Sequence, residues 1–383
     1  MGALEFQPEY ARERKAEKID MKSLTDLAER IYTERERARI MPDESITMQS
    51  LLAVGTSAGG RQPKAIIAIN RKTGEIRSGQ ISGLKNYDYC LLKFGNTQYS
   101  SAELEMTYYE LATMAGIRMM PSELYTVDGN NHFITKRFDR DGERKIYTQT
   151  LAAISPDADS YEQLIAVCRK LHLPESDCQE VFRRMVFNIL ANNTDDHNKN
   201  FSFIMDEDGS WRLSPAYDIT YIIDNGGFLP NEDHCLYIRA KLRGITREDA
   251  IQFARDNGIR RPDAIIRDVV ASLKQFRTIA TKYGVSEQWT GRVETTIIGH
   301  LKAWGEWDES ELPEFSMNGH SVSNIRMEQA YKGNYHLLVE IDGKERKFVI
   351  GKNKEEFALI EKTGLANLAP EQLKTMIEIY FFS

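Results

Sequence analysis

The sequence predicts an α+β protein of two lobes: a mixed α/β lobe over residues 1–149, a mainly helical lobe over 150–317, and a small appended unit over 318–383. Three observations predict it. Short apolar runs alternate with Gly-rich and Asp-Gly turns up to Gln149, helical periodicity dominates from there to residue 305, and strand-like runs return after Asn318. There is no internal repeat, no low-complexity stretch, and no linker rich enough in Pro, Gly or Ser to separate independent domains.

In the first lobe Ser23 is expected to cap a helix whose Leu24, Leu27, Ala28, Ile31 and Tyr32 share a face. A Gly-rich loop then leads into Lys64-Ala65-Ile66-Ile67-Ala68-Ile69, short enough for a buried strand. Tyr87 to Phe94 reads as a second strand and Ser101 to Ala115 as a helix. Glu123 to Thr126 and His132 to Phe138 read as strands joined at Asp128-Gly129. The second lobe is expected to hold helices near 160–171, 177–193, 246–256, 263–283 and 287–305, interrupted by a hairpin near residue 205. In the last unit, His336 to Ile341 and Arg346 to Ile350 read as strands around Asp342-Gly343, and Ala369 to Phe382 as a helix.

The 383 residues, 41% hydrophobic and 10% aromatic, suffice for lobes enclosing a deep cleft. A formal net charge of -7 makes nucleic acid an unexpected direct partner. The four cysteines form no C-x-x-C pair, which argues against a zinc cage or a disulfide framework and suits a reducing cytoplasm. The start, Met-Gly-Ala-Leu-Glu-Phe-Gln-Pro, lacks the features of a secretory signal, and Phe6 stands where a myristoylation signal has Ser or Thr. With no apolar run of spanning length, no membrane association is expected.

The chemistry concentrates in Asn192-Asn193-Thr194-Asp195-Asp196-His197-Asn198-Lys199-Asn200 and in Ser214-Pro215-Ala216-Tyr217-Asp218. Asp195 and Asn200 have the D-x-x-x-x-N spacing of a protein kinase catalytic loop, in which the Asp accepts a hydroxyl proton and the Asn holds Mg²⁺. A hairpin between the two stretches returns the chain on itself, so Asp218 can share a metal with Asn200. A capping role for Asp195 is the plainer alternative, and an acidic hairpin tip suffices for Asp206 and Asp208; the stretch does not fit an EF-hand. Gly55, Gly59 and Gly60 allow main-chain N–H groups to approach phosphate, with Lys64 adding charge. Lys93, on a mostly apolar strand face, needs an anion unless it snorkels at an edge, and Glu105 on the next helix is a candidate partner.

These segments resemble the HipA family of toxin kinases, whose T-D-x-H-x-K-N-F-S and [ST]-P-x-Y-D-I segments match Thr194 to Ser202 and Ser214 to Ile219. The resemblance extends to Gly55–Ala65, similar to the family's phosphate-binding loop, and to Lys136-Arg137-Phe138-Asp139-Arg140, similar to its hinge; Lys136 departs from the glutamate often found there. It covers residues 1 to about 310 and implies a two-lobed protein-kinase-like fold and an ATP- and Mg²⁺-dependent serine/threonine kinase. The implied catalytic residue is Asp195, and the implied metal ligands are Asn200 and Asp218. ATP contacts fall on Ser57, Ala58, Gly59, Gly60, Lys64 and Lys93, on Lys136, Arg137 and Phe138, and on His197, Lys199, Asn200 and Tyr217. Ser57, or Thr56 beside it, matches the autophosphorylated loop position.

The family also implies a protein substrate, with an aminoacyl-tRNA synthetase as the kind of target, and an antitoxin through which DNA is reached indirectly. Members of full length carry a subdomain before a Met-Gly-Ala-Leu-like segment, which here opens the chain. A separate small subunit supplying that piece is one expectation, a reduced homologue the other. A small-molecule kinase of related fold, or a nucleotide-binding repressor-complex subunit without kinase activity, are the alternative functions. The appended unit has no counterpart that suggests a role.

Overall fold

A computed structural model describes residues 18–33, 63–79, 84–142, 144–222, 232–307, 315–317, 320–329, 334–351 and 376–382. Helix α1 (Met21–Thr33) is capped by Asp20, whose carboxylate accepts the Ser23 N–H at 3.1 Å; the expected cap, Ser23, lies inside the first turn. The carboxylate outcompetes the hydroxyl because Ser23 is the third helical residue, whose N–H an N-cap side chain reaches.

Five antiparallel strands follow, β1 (Lys64–Ile69), β2 (Ile76–Ser78), β3 (Asp88–Lys93), then across a helix β4 (Ser122–Val127) and β5 (Asn130–Lys136), in the order β2-β1-β3-β5-β4. Their period-2 alternation divides two environments. Ala65, Ile67, Cys90, Leu92 and Ile134 pack with Leu24 and Ala28 of α1, while Lys64, Leu91, Lys93, Phe133 and Thr135 face a cavity. The β4–β5 hairpin turns at Asp128 (φ 48°) and Gly129 (φ 84°), both in the left-handed region such two-residue turns require.

Between β3 and β4 runs α2 (Ser101–Met114), reached through a close approach at Gly95. A Cβ there would sit 2.0 Å from the Asn131 carbonyl oxygen, and the Gly95 N–H donates to His132 Nδ1 at 3.1 Å. Helix α2 belongs to two cores. Ala102 and Met106 pack on Phe133 of the sheet, whereas Leu104, Tyr108, Leu111 and Ala115 enter the main core of the helical lobe.

The chain then forms a two-residue-per-strand ribbon, β6 (Arg140–Asp141) and β7 (Arg144–Lys145), and β8 (Tyr147–Thr150), which pairs with β9 (Ser202–Met205) beside β10 (Trp211–Leu213). Helices α3 (Leu151–Ile154), α4 (Tyr161–Lys170) and α5 (Glu175–Leu190) lie between β8 and β9. Helix α6 (Arg247–Asp256) starts at a reciprocal cap in which Thr246 and Asp249 satisfy each other's main-chain N–H. The single helix expected over 263–283 is two, α7 (Pro262–Leu273) and α8 (Phe276–Tyr283), broken at Lys274-Gln275; α9 (Glu287–Ala303) follows. The break follows the point where the Ser272 hydroxyl donates to the Leu111 carbonyl of α2, a contact no local pattern announces.

A separate antiparallel sheet comprises β11 (Phe315–Met317), β12 (His320–Gln329), β13 (Tyr335–Ile341) and β14 (Lys344–Ile350). Its apolar face, with Val322, Leu337 and Val339, packs on Met376 and Ile377. Of the helix expected over Ala369 to Phe382, the segment before Met376 lies outside the described residues; Met376-Ile377 is helical and Glu378–Phe382 forms a π-helical turn. Among the described residues no helix is long and apolar enough to cross a membrane.

Candidate active site between the sheet and the helical lobe

Helix α5 ends at Leu190, and the chain reverses through Asn192, which sits at φ 57°. Asn192 donates to the Ile222 carbonyl at 3.1 Å, Asn193 to the Asn188 side-chain oxygen at 2.9 Å, and Tyr108 of α2 to the Ala191 carbonyl at 2.6 Å. This anchoring fixes the start of the loop that carries Asp195. The Asn200 amide closes the loop by donating to the Asp195 carbonyl at 2.7 Å.

Two devices bring Asp218 to this loop. The β9–β10 hairpin pairs Leu213 with Phe203, and beyond it the Tyr217 hydroxyl donates to the Lys199 carbonyl at 2.7 Å while accepting from the Ser202 hydroxyl. From the other side the fully buried Arg184 of α5 donates to the Ser214 carbonyl at 2.7 Å and to Glu180. Asp218 itself adopts φ 60°, a conformation that costs a non-glycine residue energy and is retained where the surroundings over-determine it.

From the sheet, Lys93 contributes an ammonium that contacts both Glu105 of α2 and Asp218. Lys64 stands directly opposite Lys93 on neighbouring strands, an arrangement of like charges that the nearby carboxylates offset. Burial alone would lower Lys93, but Asp218 and Glu105 together hold its pKa well above the usual lysine value. Burial works to raise Asp218, yet the Lys93 and Lys64 ammoniums hold it below the usual carboxylate range. Burial pushes Lys64 down and Glu105 up. Asp195 is raised, chiefly by burial and also by the charge of Asp218, with His197 opposing.

These groups line one cavity of about 280 Å³. Its lining mixes apolar side chains, Leu91, Met119, Phe133, Ala216 and Ile219, with charged ones, Lys64, Lys93 and Lys199 set against Glu105, Asp195 and Asp218. His197, Asn200, Thr135 and Tyr217 complete the lining. His197 Nε2 lies 3.7 Å from the Asp195 carboxylate, and its Nδ1 accepts the Lys199 N–H at 3.2 Å.

The structure thus brings together Lys64, Lys93, Asp195, His197, Lys199, Asn200, Tyr217 and Asp218 of the residues expected from sequence. Lys136, Arg137 and Phe138 do not line the cavity with their side chains. Lys136 pairs with Asp88 at 2.8 Å, Arg137 with Asp139 at 2.7 Å, and Phe138 stacks on the Tyr217 ring at 5.5 Å. Thr56, Ser57, Ala58, Gly59 and Gly60 lie outside the described residues. Sequence reading missed Arg184, Met119 and Thr135, and above all Asp196, a buried carboxylate beside Asp195; the Asp-Asp doublet was the only available signal.

The residues present suit a magnesium nucleotide. Apolar side chains beside two buried lysines in one cavity match a base joined to phosphates. Among the described residues no group of three or more His, Cys, Asp or Glu could hold a metal, whereas Asn200 and Asp218 face the same space; Mg²⁺ characteristically takes one or two protein carboxylates and completes its shell with phosphate and water.

Residues 56–276, more than half of the chain, match the family model described as HipA-like C-terminal domain. A candidate kinase of Haemophilus influenzae is 28% identical over 202 residues, 47% of this chain and 56% of that protein. The candidate kinase Y4dM of Sinorhizobium fredii is 25% identical over 232 residues, 55% of this chain and 56% of that protein. The chain therefore spans about half the length of these relatives. Among solved structures, HipA of Shewanella oneidensis MR-1, in complex with HipB and its operator DNA, shares the fold with a TM-score of 0.59 at 17% identity, over 80% of this chain and 76% of that one.

Proposed function

The chain belongs to the HipA-like C-terminal domain family, and we propose that it is an ATP- and Mg²⁺-dependent serine/threonine kinase of the toxin type, acting on a protein substrate. The observation that carries this reading is the convergence of Lys93, Asp195, Asn200 and Asp218, drawn from both lobes, on one cavity lined by apolar and charged side chains together.

In this reading Lys93 and Lys64 hold the phosphate oxygens, with Glu105 keeping Lys93 aimed inward. Asn200 and Asp218 hold the metal, which when bound neutralises charge on the transferring phosphoryl group. Asp195 orients the acceptor hydroxyl and takes its proton. Burial first, and the neighbouring carboxylates with it, raise its pKa, which makes it a better base than a free carboxylate. Little covalent chemistry is asked of the protein, so positioning and charge neutralisation supply most of the rate. By its likeness to the HipA complex, an antitoxin that reaches operator DNA is the partner that suits this fold; the family resemblance of the sequence motifs suggests an aminoacyl-tRNA synthetase as the kind of target.

Phosphopeptide mass spectrometry on purified protein incubated with Mg-ATP, comparing wild type with Asp195→Gln, tests the reading. Phosphate on Ser57 or Thr56 in the wild type alone is the expected result. No phosphate in either protein, despite measured ATP binding, would move the function to small-molecule phosphorylation or to a nucleotide-binding subunit of a repressor complex.

A further inference from the structure

The carboxylate of Asp195 has only loose neighbours among the described residues: His197 Nε2 at 3.7 Å and the Cys235 thiol at 4.0 Å. Its position is therefore set by its main chain. That main chain is held at the Asp195 carbonyl by the Asn200 amide. The residue just beyond it, Asp196, turns its side chain inward, 2% exposed, where it accepts three hydrogen bonds from two other parts of the chain. The Tyr161 hydroxyl of α4 donates at 2.7 Å, His234 Nδ1 at 2.8 Å, and the Cys235 N–H at 2.8 Å. A buried carboxylate demands such donors, and charge-assisted bonds of this kind are the strong ones. Because the carboxylate accepts, His234 carries its proton on Nδ1.

The two donors at 234 and 235 belong to a stretch whose residues alternate between burial and exposure: His234, Leu236 and Ile238 are buried, Cys235 and Tyr237 exposed. Leu236 and Ile238 enter the main core, and Tyr237 exchanges main-chain hydrogen bonds with the start of α4, its N–H donating to the Asp159 carbonyl at 2.7 Å. The stretch is thus fixed in the core at one end and to the active-site loop at the other.

We propose that Asp196 is a positioning residue for the phosphoryl transfer: by tying residues 234–235 to the loop next to the peptide that Asn200 holds, it sets the angle at which Asp195 meets the acceptor hydroxyl. This inference rests on the kinase reading for its kinetic consequence, though not for the tether itself.

The test uses the full chain with Asp196→Asn and His234→Ala, both assayed at a temperature where each is folded by circular dichroism. Transfer from γ-labelled ATP at saturating Mg-ATP and the Mg-ATP dissociation constant are both measured. Asp196→Asn and His234→Ala should lower the transfer rate about 30- to 100-fold, the cost of a misplaced catalytic group. Nucleotide affinity should stay within about twofold, the mark of an interaction felt at the transition state.

Alkylation of Cys235 by iodoacetamide, followed by peptide mass spectrometry, reads the tether without any activity. His234→Ala leaves the Asp196 charge in place, so faster alkylation there reports release of the stretch. The inference fails if Asp196→Asn keeps the wild-type rate, if its loss of rate tracks a loss of nucleotide affinity, or if Cys235 in His234→Ala reacts as in wild type. Equal transfer by wild type and Asp195→Asn would instead overturn the kinase reading and leave alkylation to decide the tether.

Discussion

Lys93 and Asp218, 125 residues apart in the chain, meet as an ion pair across the cavity, and Glu105 shares the same ammonium. Removing the lysine strands two carboxylates, one of them fully enclosed. Lys93→Met is expected to cost about 3–5 kcal/mol, the usual penalty for breaking a buried pair from one side. Adding Glu105→Leu should recover much of that loss, because a buried pair exchanged for apolar side chains is close to neutral. Urea unfolding of the single and double variants measures both.

The acid limb of the transfer rate should report Asp195. Its pKa is raised, by burial first and by neighbouring Asp218 and Asp196, so protonation removes the base at a higher pH than an ordinary aspartate would require. The rate is expected to fall with a midpoint above about 3.9, the reference value for Asp. His197 opposes the shift, so His197→Gln should move the midpoint higher still. Initial rates across pH at saturating Mg-ATP check the order of the two midpoints.

Stability should carry a separate acid signature from His132. Burial pushes this imidazole down to about 4, and its Nδ1 is occupied as an acceptor from Gly95. The folded value lies below the unfolded one, so the contribution is complete above the unfolded pKa and is lost as pH falls toward 4, where the unfolded chain takes up a proton that the native one refuses. The loss should be on the order of 2 to 3 kcal/mol. His132→Asn, which can still accept the Gly95 N–H, should flatten urea midpoints between pH 6.5 and 4.5.

Arg184 should serve stability and, in the proposed kinase, the metal-holding end of the site together. Its guanidinium bonds Glu180, itself the acceptor for the Arg118 N–H at 3.0 Å, and the Ser214 carbonyl four residues before Asp218. Arg184→Met leaves Glu180 buried without its charge partner, at a cost of about 3–5 kcal/mol. It also frees the segment leading to Asp218, so Mg²⁺ should strengthen ATP binding less than in wild type. Unfolding and calorimetry with and without Mg²⁺ separate the two effects.

What could be read from sequence was what is local. The spacing of Asp195 and Asn200, the hairpin returning to Asp218, and strand alternation at Lys93 are all patterns within a few residues. Glu105 was reachable as a charge on the adjoining helix. Asp196, Tyr161 and His234 were not, because their meaning lies in contacts between segments 35 to 38 residues apart. The same limit explains the break at Lys274-Gln275, where nothing in the helical pattern reveals the bond from Ser272 to Leu111. Asp20 took the cap assigned to Ser23 because both are good caps and only geometry decides between them.

Helix α2 gives its Ala102 and Met106 to the sheet and its Leu104, Tyr108 and Leu111 to the helical lobe. Splitting the chain between the lobes would leave that second face bare, so neither half has a complete interior by itself. The visible division into sheet and helices is therefore not a division of cooperativity: the two should melt in one transition, and a nick in the β6–β7 ribbon should yield fragments that stay associated until both unfold.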